Sequence, residues 1–189
     1  TDADLVDFVA RTLAAHGVEP LRLCLEITEA DLAADIEAVV VQLDRLKEIG
    51  VRLAIDDFGT GFATLDYLRR FSSADILKID GSFVAGVTDP NSHDLAIVAA
   101  ALVLADTLGF NVVAEGVETP AQVEVLQRLG CQFGQGFHYS PAVPATRIDA
   151  MLASWLDVGG EDALLVRAGP VAAARADREA AAGVVDDPG

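Results

Sequence analysis

Five short apolar runs each end in side chains able to do chemistry, and the residue types differ from run to run. Residues 21–28 (LRLCLEIT) carry Glu26, 51–61 (VRLAIDDFGTG) carry Asp56 and Asp57, and 75–80 (DILKID) carry Lys78. Residues 111–118 (NVVAEGVE) carry Glu115, and 131–136 (CQFGQG) carry Gln135 between two glycines. Adjacent carboxylates repel unless cations lie between them, so Asp56-Asp57 points to two divalent ions sharing Asp56. A lysine ammonium among such groups can orient a water or stabilise charge on a transferring phosphoryl group. Each signal also has a plain structural reading. An ion pair with Arg22 or Arg52 accounts for Glu26, and a simple turn accounts for Asp-Asp before a glycine-rich loop. A Lys78–Asp80 pair and solvated loop positions account for the others. Recurrence at five consecutive run ends favours one shared site over five independent explanations.

Apolar segments this short, bounded by turn residues and separated by helical stretches, read as buried parallel strands. Helical periodicity covers 2–16, 32–49, 65–70, 93–108 and 120–129. Gly50, Gly109 and Gly130 follow the last apolar turns as C-terminal caps do, and Thr119-Pro120 supplies an N-cap with proline at the first helical position. The rhythm predicts successive βα units with their reactive ends at one carboxyl edge. Along the first strand, Leu23, Leu25 and Ile27 share one face, and Arg22, Cys24 and Glu26 share the other.

The 189 residues, 52% of them hydrophobic, suit one domain with an ample core. A formal net charge of −17 argues against non-specific binding to DNA or RNA polymer and to anionic membrane, since both attract basic surfaces. An anionic substrate needs divalent cations to neutralise the acidic site. Cys24 and Cys131 read as buried free thiols. His16 reads as a helix C-terminal residue, His93 as a first-turn residue and His138 as a surface group. No secretory signal is visible, and the apolar stretch 95–105 between Asp94 and Asp106 is too short to span a bilayer. The expected location is cytoplasmic. The chain begins at Thr1 already in helical period, which reads as a piece of a longer polypeptide. Residues 157–189, rich in Ala, Asp and Gly, read as a disordered tail.

The strings LEITE (25–29), DDFGTG (56–61), LKID (77–80), AEGVET (114–119) and GQGF (134–137), in this order, closely resemble the EAL-domain family of bacterial cyclic di-GMP phosphodiesterases. The resemblance covers 1–156 and implies an α/β fold, a TIM-like (β/α)8 barrel of the EAL type, incomplete at its N-terminus with about five βα units present. It implies hydrolysis of cyclic di-GMP to linear pGpG with two Mg²⁺ or Mn²⁺ ions. Glu26, Asp56, Asp57 and Glu115 become metal ligands, Asp56 bridging the two ions. Lys78 positions the attacking water and Gln135 holds water or substrate. Glu29 steadies the loop that opens with Phe58, Gly59, Thr60 and Gly61, and Asp80 and Glu118 support the ligands. A homodimer and an upstream sensory or GGDEF-type domain are further implications.

The pattern departs from the family in places. The Glu-Ala-Leu tripeptide is absent from 1–189, and neither Asn91 nor Asn111 stands where the family has a metal-binding asparagine. The expectation is that both ligands lie upstream of Thr1, and that residues 1–189 alone are poorly stable and catalytically weak. Ala30 replaces a serine, and Pro141-Ala142 replaces a basic-residue–proline pair. Two rivals follow: a degenerate EAL domain that binds cyclic di-GMP or a protein without hydrolysis, and a receiver-like α/β domain. The latter leaves Glu26, Glu115 and Gln135 unexplained.

Overall fold

The computed structural model describes residues 3–28, 36–61, 68, 70–71 and 73–157. Helix α1 (Ala3–His16) leads through a 3-10 turn (Pro20–Arg22) into β1 (Cys24–Thr28). Then come α2 (Ile36–Glu48), β2 (Arg52–Phe58), β3 (Ile76–Ile79), α3 (Gly81–Ala85) and α4 (Asp94–Leu108). The chain continues through β4 (Asn111–Ala114), α5 (Pro120–Arg128), β5 (Phe133–Gly134) and α6 (Ala145–Asp157).

All strand pairs are parallel, and the sheet order β1-β2-β3-β4-β5 follows the chain without reversal. A doubly wound sheet would reverse at a switch point; sequential order is that of barrel staves. Register then sorts every side chain. Pairing Cys24 with Arg52, Ala54 with Ile76 and Lys78 with Val113 puts Cys24, Glu26, Ala54, Asp56, Ile76 and Lys78 on one face. Leu25, Ile27, Leu53, Ile55, Leu77, Ile79, Val112 and Ala114 take the other face.

The second face is the core. Leu53, Leu77, Ile79, Phe71, Val84 and Val98 are fully buried, each contributing roughly 1.5–3 kcal/mol relative to exposure. Helix α4 buries Val98, Ala101 and Ala105, yet leaves Leu95, Ile97 and Val103 exposed, so it is apolar on both sides. Gly109 closes it at φ 83°, where a side chain would be strained, and its N–H reaches Ala105 and Asp106 carbonyls. Thr119 caps α5 with Gln122 in a reciprocal box, and the buried Gln122 amide also donates to the Val84 carbonyl at 3.2 Å.

Several expectations are revised. The first strand starts at Cys24 because Pro20 and Leu21 turn into the 3-10 segment. Cys24 is half-buried on the polar face, whereas Cys131 is buried just before β5. Helices α3 and α6 were not anticipated: α3 is too short for a periodic signal, and the apolar spacing Ile148, Met151, Leu152 in α6 is short and exposed. Residues 65–67 and 69 of the helix expected at 65–70, and 158–189 of the expected tail, lie outside the described residues. No helix among the described residues is long and apolar enough to cross a membrane.

Candidate metal and catalytic site

Lys78 sits near the carboxyl end of the central strand β3, almost wholly buried at 5% exposure. Its Nζ lies 2.8 Å from Glu26 Oε2 on β1, 2.9 Å from Asp56 Oδ1 on β2 and 2.8 Å from Glu115 Oε1 just beyond β4. The Glu115 N–H donates to the Ile79 carbonyl at 3.0 Å, which extends the β3–β4 pairing and fixes the carboxylate beside Lys78. Burial works against the Lys78 charge, but its contacts with the Glu115, Glu26 and Asp56 carboxylates outweigh it and hold the ammonium protonated well above the ordinary lysine range. Burial pushes the Glu115 carboxyl upward; Lys78 opposes this, and the Asp56 and Glu26 charges add to it.

Asp57 reaches the cluster by a different route. In a regular strand its side chain would face the core, opposite Asp56. The β2–β3 register breaks between Ile55 and Phe58, and Asp57 takes φ 55°, a left-handed conformation rare for a residue with a side chain. The Thr60 N–H and hydroxyl both donate to the Asp57 carbonyl, at 3.3 and 2.9 Å, and fasten the turn. As a result, one carboxylate oxygen from each of Asp56, Asp57 and Glu115 lies within 4.8 Å of the others.

These donors fit hard divalent cations. They are all carboxylate oxygens, the set that Mg²⁺, Mn²⁺ and Ca²⁺ prefer. Four carboxylates face one ammonium, so charge compensation is incomplete. Asp56 Oδ1 is buried and, despite its 2.9 Å contact with Lys78 Nζ, accepts no hydrogen bond of good geometry. A buried anionic oxygen held only by charge is open to a cation.

The remaining expected site residues are placed less centrally. Glu26 is half-exposed and joins through Lys78 rather than through the close Asp56–Asp57–Glu115 group. Gln135 is exposed; its backbone bonds to Ala114 O and Val117 N hold it next to Glu115. Asp80 was expected to share a face with Lys78, but β3 ends at Ile79, and Asp80 caps α3 by accepting from Ser82 N and Oγ. Those bonds lower its pKa. Glu118 is exposed, with its N–H on Gln122 Oε1 at 2.8 Å. Phe58 packs against the core, Gly59 abuts the Phe83 ring, and Gly61 is exposed. Glu29 lies outside the described residues.

Sequence reasoning missed Gly136. A Cβ there would overlap the Val117 backbone, so glycine lets the β5 loop close against the segment that follows Glu115. The glycine–glutamine–glycine string was the available signal. It also missed Asp75, which accepts from Lys47 Nζ at 2.7 Å and Leu53 N–H at 2.8 Å. Lys47 and Asp75 lie too far apart in sequence to announce the pair.

Comparison with known proteins identifies the family. The family model described as EAL domain matches residues 1–142. The chain is 45% identical over 151 residues to the bifunctional diguanylate cyclase/cyclic di-GMP phosphodiesterase MucR of Pseudomonas aeruginosa, covering 80% of this chain and 22% of MucR. It is 40% identical over 153 residues to the cyclic di-GMP phosphodiesterase NbdA of the same organism, covering 81% of this chain and 19% of NbdA. The chain thus spans only a minor part of these relatives. Among solved structures, the MucR phosphodiesterase in complex with c-di-GMP superposes with TM-score 0.74 at 45% identity, over 78% of this chain and 59% of that one. The EAL domain of Mycobacterium smegmatis DcpA gives TM-score 0.76 at 40% identity, over 82% and 68%. A manganese/cyclic-diGMP complex of Klebsiella pneumoniae BlrP1 gives TM-score 0.66 at 35% identity, over 72% and 34%. With the family match over three quarters of its length and a parallel sheet in barrel order, the chain belongs to the EAL domain family.

Proposed function

We propose that this chain supplies the metal-binding and catalytic core of a phosphodiesterase that hydrolyses cyclic di-GMP to linear pGpG. The observation that carries the reading is the convergence of Glu26, Asp56 and Glu115, from separate stave ends, on the buried Lys78, with Asp57 grouped beside Asp56 and Glu115. Glu26, Asp56, Asp57 and Glu115 would hold the Mg²⁺ or Mn²⁺ ions. The BlrP1 complex with manganese and the nucleotide supports that choice of ion. When bound, such ions lower the pKa of water and neutralise a phosphodiester.

The chain's own groups do the rest. The Lys78 ammonium donates toward the attacking water and fixes its line of approach. Gln135, exposed beside Glu115, presents its amide to substrate or to that water. The bulge at Asp57 presets the ligand geometry before substrate arrives. The proposal extends to a cytoplasmic parent polypeptide with a sensory or GGDEF-type domain and a homodimer. The bifunctional description of MucR supports the former.

The test is turnover of cyclic di-GMP by the parent polypeptide in Mn²⁺, with products resolved by ion-exchange chromatography. The expected result is pGpG, and loss of at least about 100-fold in rate in Asp56→Asn and Glu115→Gln, since even outer-shell changes cost 10–100-fold. Substantial activity in either variant contradicts the two-metal assignment. Nucleotide binding without pGpG would make the protein a sensing module instead.

A further inference from the structure

We propose that Lys78 is the resident counter-cation of the metal site: its ammonium holds the carboxylate cluster together without divalent ions and is displaced when they enter. The inference rests on the function proposed above and concerns a residue that role alone would assign to the attacking water.

Three features carry it. First, the ammonium lies within 2.8–2.9 Å of carboxylates from three different staves. A lysine kept solely for a water would leave its N–H groups available for one. Second, Lys78 is nearly inaccessible, so its charge is retained only by those contacts. Third, the Asp56 oxygen beside it receives no well-formed hydrogen bond, so the ammonium balances charge there without saturating the donors a metal would use.

On this reading the ammonium and an entering divalent ion compete for the same carboxylates, Asp56 and Glu115 above all, and the ion's affinity is lowered by whatever the displaced lysine contacts are worth. Removing the positive charge should tighten metal binding while loosening the metal-free fold. A lysine with a merely structural role predicts the opposite sign for metal affinity, because its loss would disorder the ligands.

The experiment titrates Mn²⁺ calorimetrically into the parent polypeptide and its Lys78→Met and Lys78→Arg variants, with thermal unfolding of each in EDTA and in Mn²⁺. Lys78→Met should lower the Mn²⁺ Kd by about tenfold or more, as expected for removing a contact charge from a partly buried site. It should melt earlier in EDTA and gain more from Mn²⁺ than the parent chain. Lys78→Arg, which keeps the charge, should stay within about threefold of the parent Kd. Folded Lys78→Met that binds Mn²⁺ no more tightly overturns the inference. If that variant fails to fold in EDTA, recovery on refolding in Mn²⁺ supports it, and no recovery overturns it. A parent chain that binds no Mn²⁺ defeats the metal reading itself, whereas a binding parent with an unimproved variant defeats the counter-cation role alone.

Discussion

Asp57→Asn separates charge from conformation at the ligand cluster. Asparagine tolerates the left-handed backbone that Asp57 adopts at φ 55°, so the bulge survives while one negative charge goes. An Asp57 carboxylate oxygen lies within 4.8 Å of oxygens on both Asp56 and Glu115. Two unit charges at that distance repel by about 0.9 kcal/mol in water and about 3.5 kcal/mol at an effective dielectric of 20. Taking the solvent-screened end for two neighbours, metal-free Asp57→Asn should gain about 2 kcal/mol. For a chain of this size that raises Tm by roughly 4–8 °C. The assay is urea and thermal unfolding in EDTA at low ionic strength. The gain should shrink at high salt, because the repulsion is partly exposed and is screened. In saturating Mn²⁺ the order should reverse, since the aspartate then gains a ligand bond. A variant less stable than the parent in EDTA, or a gain indifferent to salt, would refute the picture of carboxylates held against their mutual repulsion.

Two further expectations concern the scaffold. Gly136→Ala should cost about 2 kcal/mol or more, because a Cβ overlapping Val117 must break the Val117–Gln135 and His138–Val117 backbone bonds, each worth about 1 kcal/mol. Gly109→Ala, with open space around it, should cost only the left-handed backbone, about 1 kcal/mol. Equal urea midpoints for the two variants would overturn the close-approach argument. Burial pushes the Cys131 thiol from 9.0 up to about 11, so the folded chain holds that proton more tightly than the unfolded one. The resulting stability is complete below pH 9 and fades as pH climbs through 11, by about 3 kcal/mol at most. Cys131→Ala should flatten that part of the stability profile, and an unchanged slope would count against a buried neutral thiol.

Much of the fold was legible because buried parallel strands advertise themselves by composition. Runs such as LAI in β2 need apolar residues on both faces, and glycine or Thr-Pro punctuation marks where the helices stop and start. The split between Leu25/Ile27 and Cys24/Glu26 followed from the two-residue repeat alone. What the repeat could not give was Asp57. By alternation it belongs with the core, and only the register break and its positive φ turn it toward Asp56. Asp80 failed for the complementary reason: alternation paired it with Lys78, but the strand ended one residue earlier and the carboxylate became a helix cap. The central place of Lys78 was also hidden, since its three partners come from three other segments.

Charge arithmetic at the site bears on how many ions the proposed reaction needs. Glu26, Asp56, Asp57 and Glu115 against Lys78 leave three negative charges among the described residues, within a chain already at −17. A phosphodiester anion approaching that field is repelled. One divalent ion brings these five residues to −1 and a second brings them to +1, before any upstream ligand is counted. On the proposed function, the repulsion that substrate meets is therefore lifted chiefly by occupancy of the second position. Substrate and metal must then raise each other's affinity by the same factor, as linkage requires of any two ligands whose binding is coupled. The strained turn at Asp57 fits that demand. That turn brings the carboxylate beside Asp56 and Glu115 against their mutual repulsion, which bound cations would relieve.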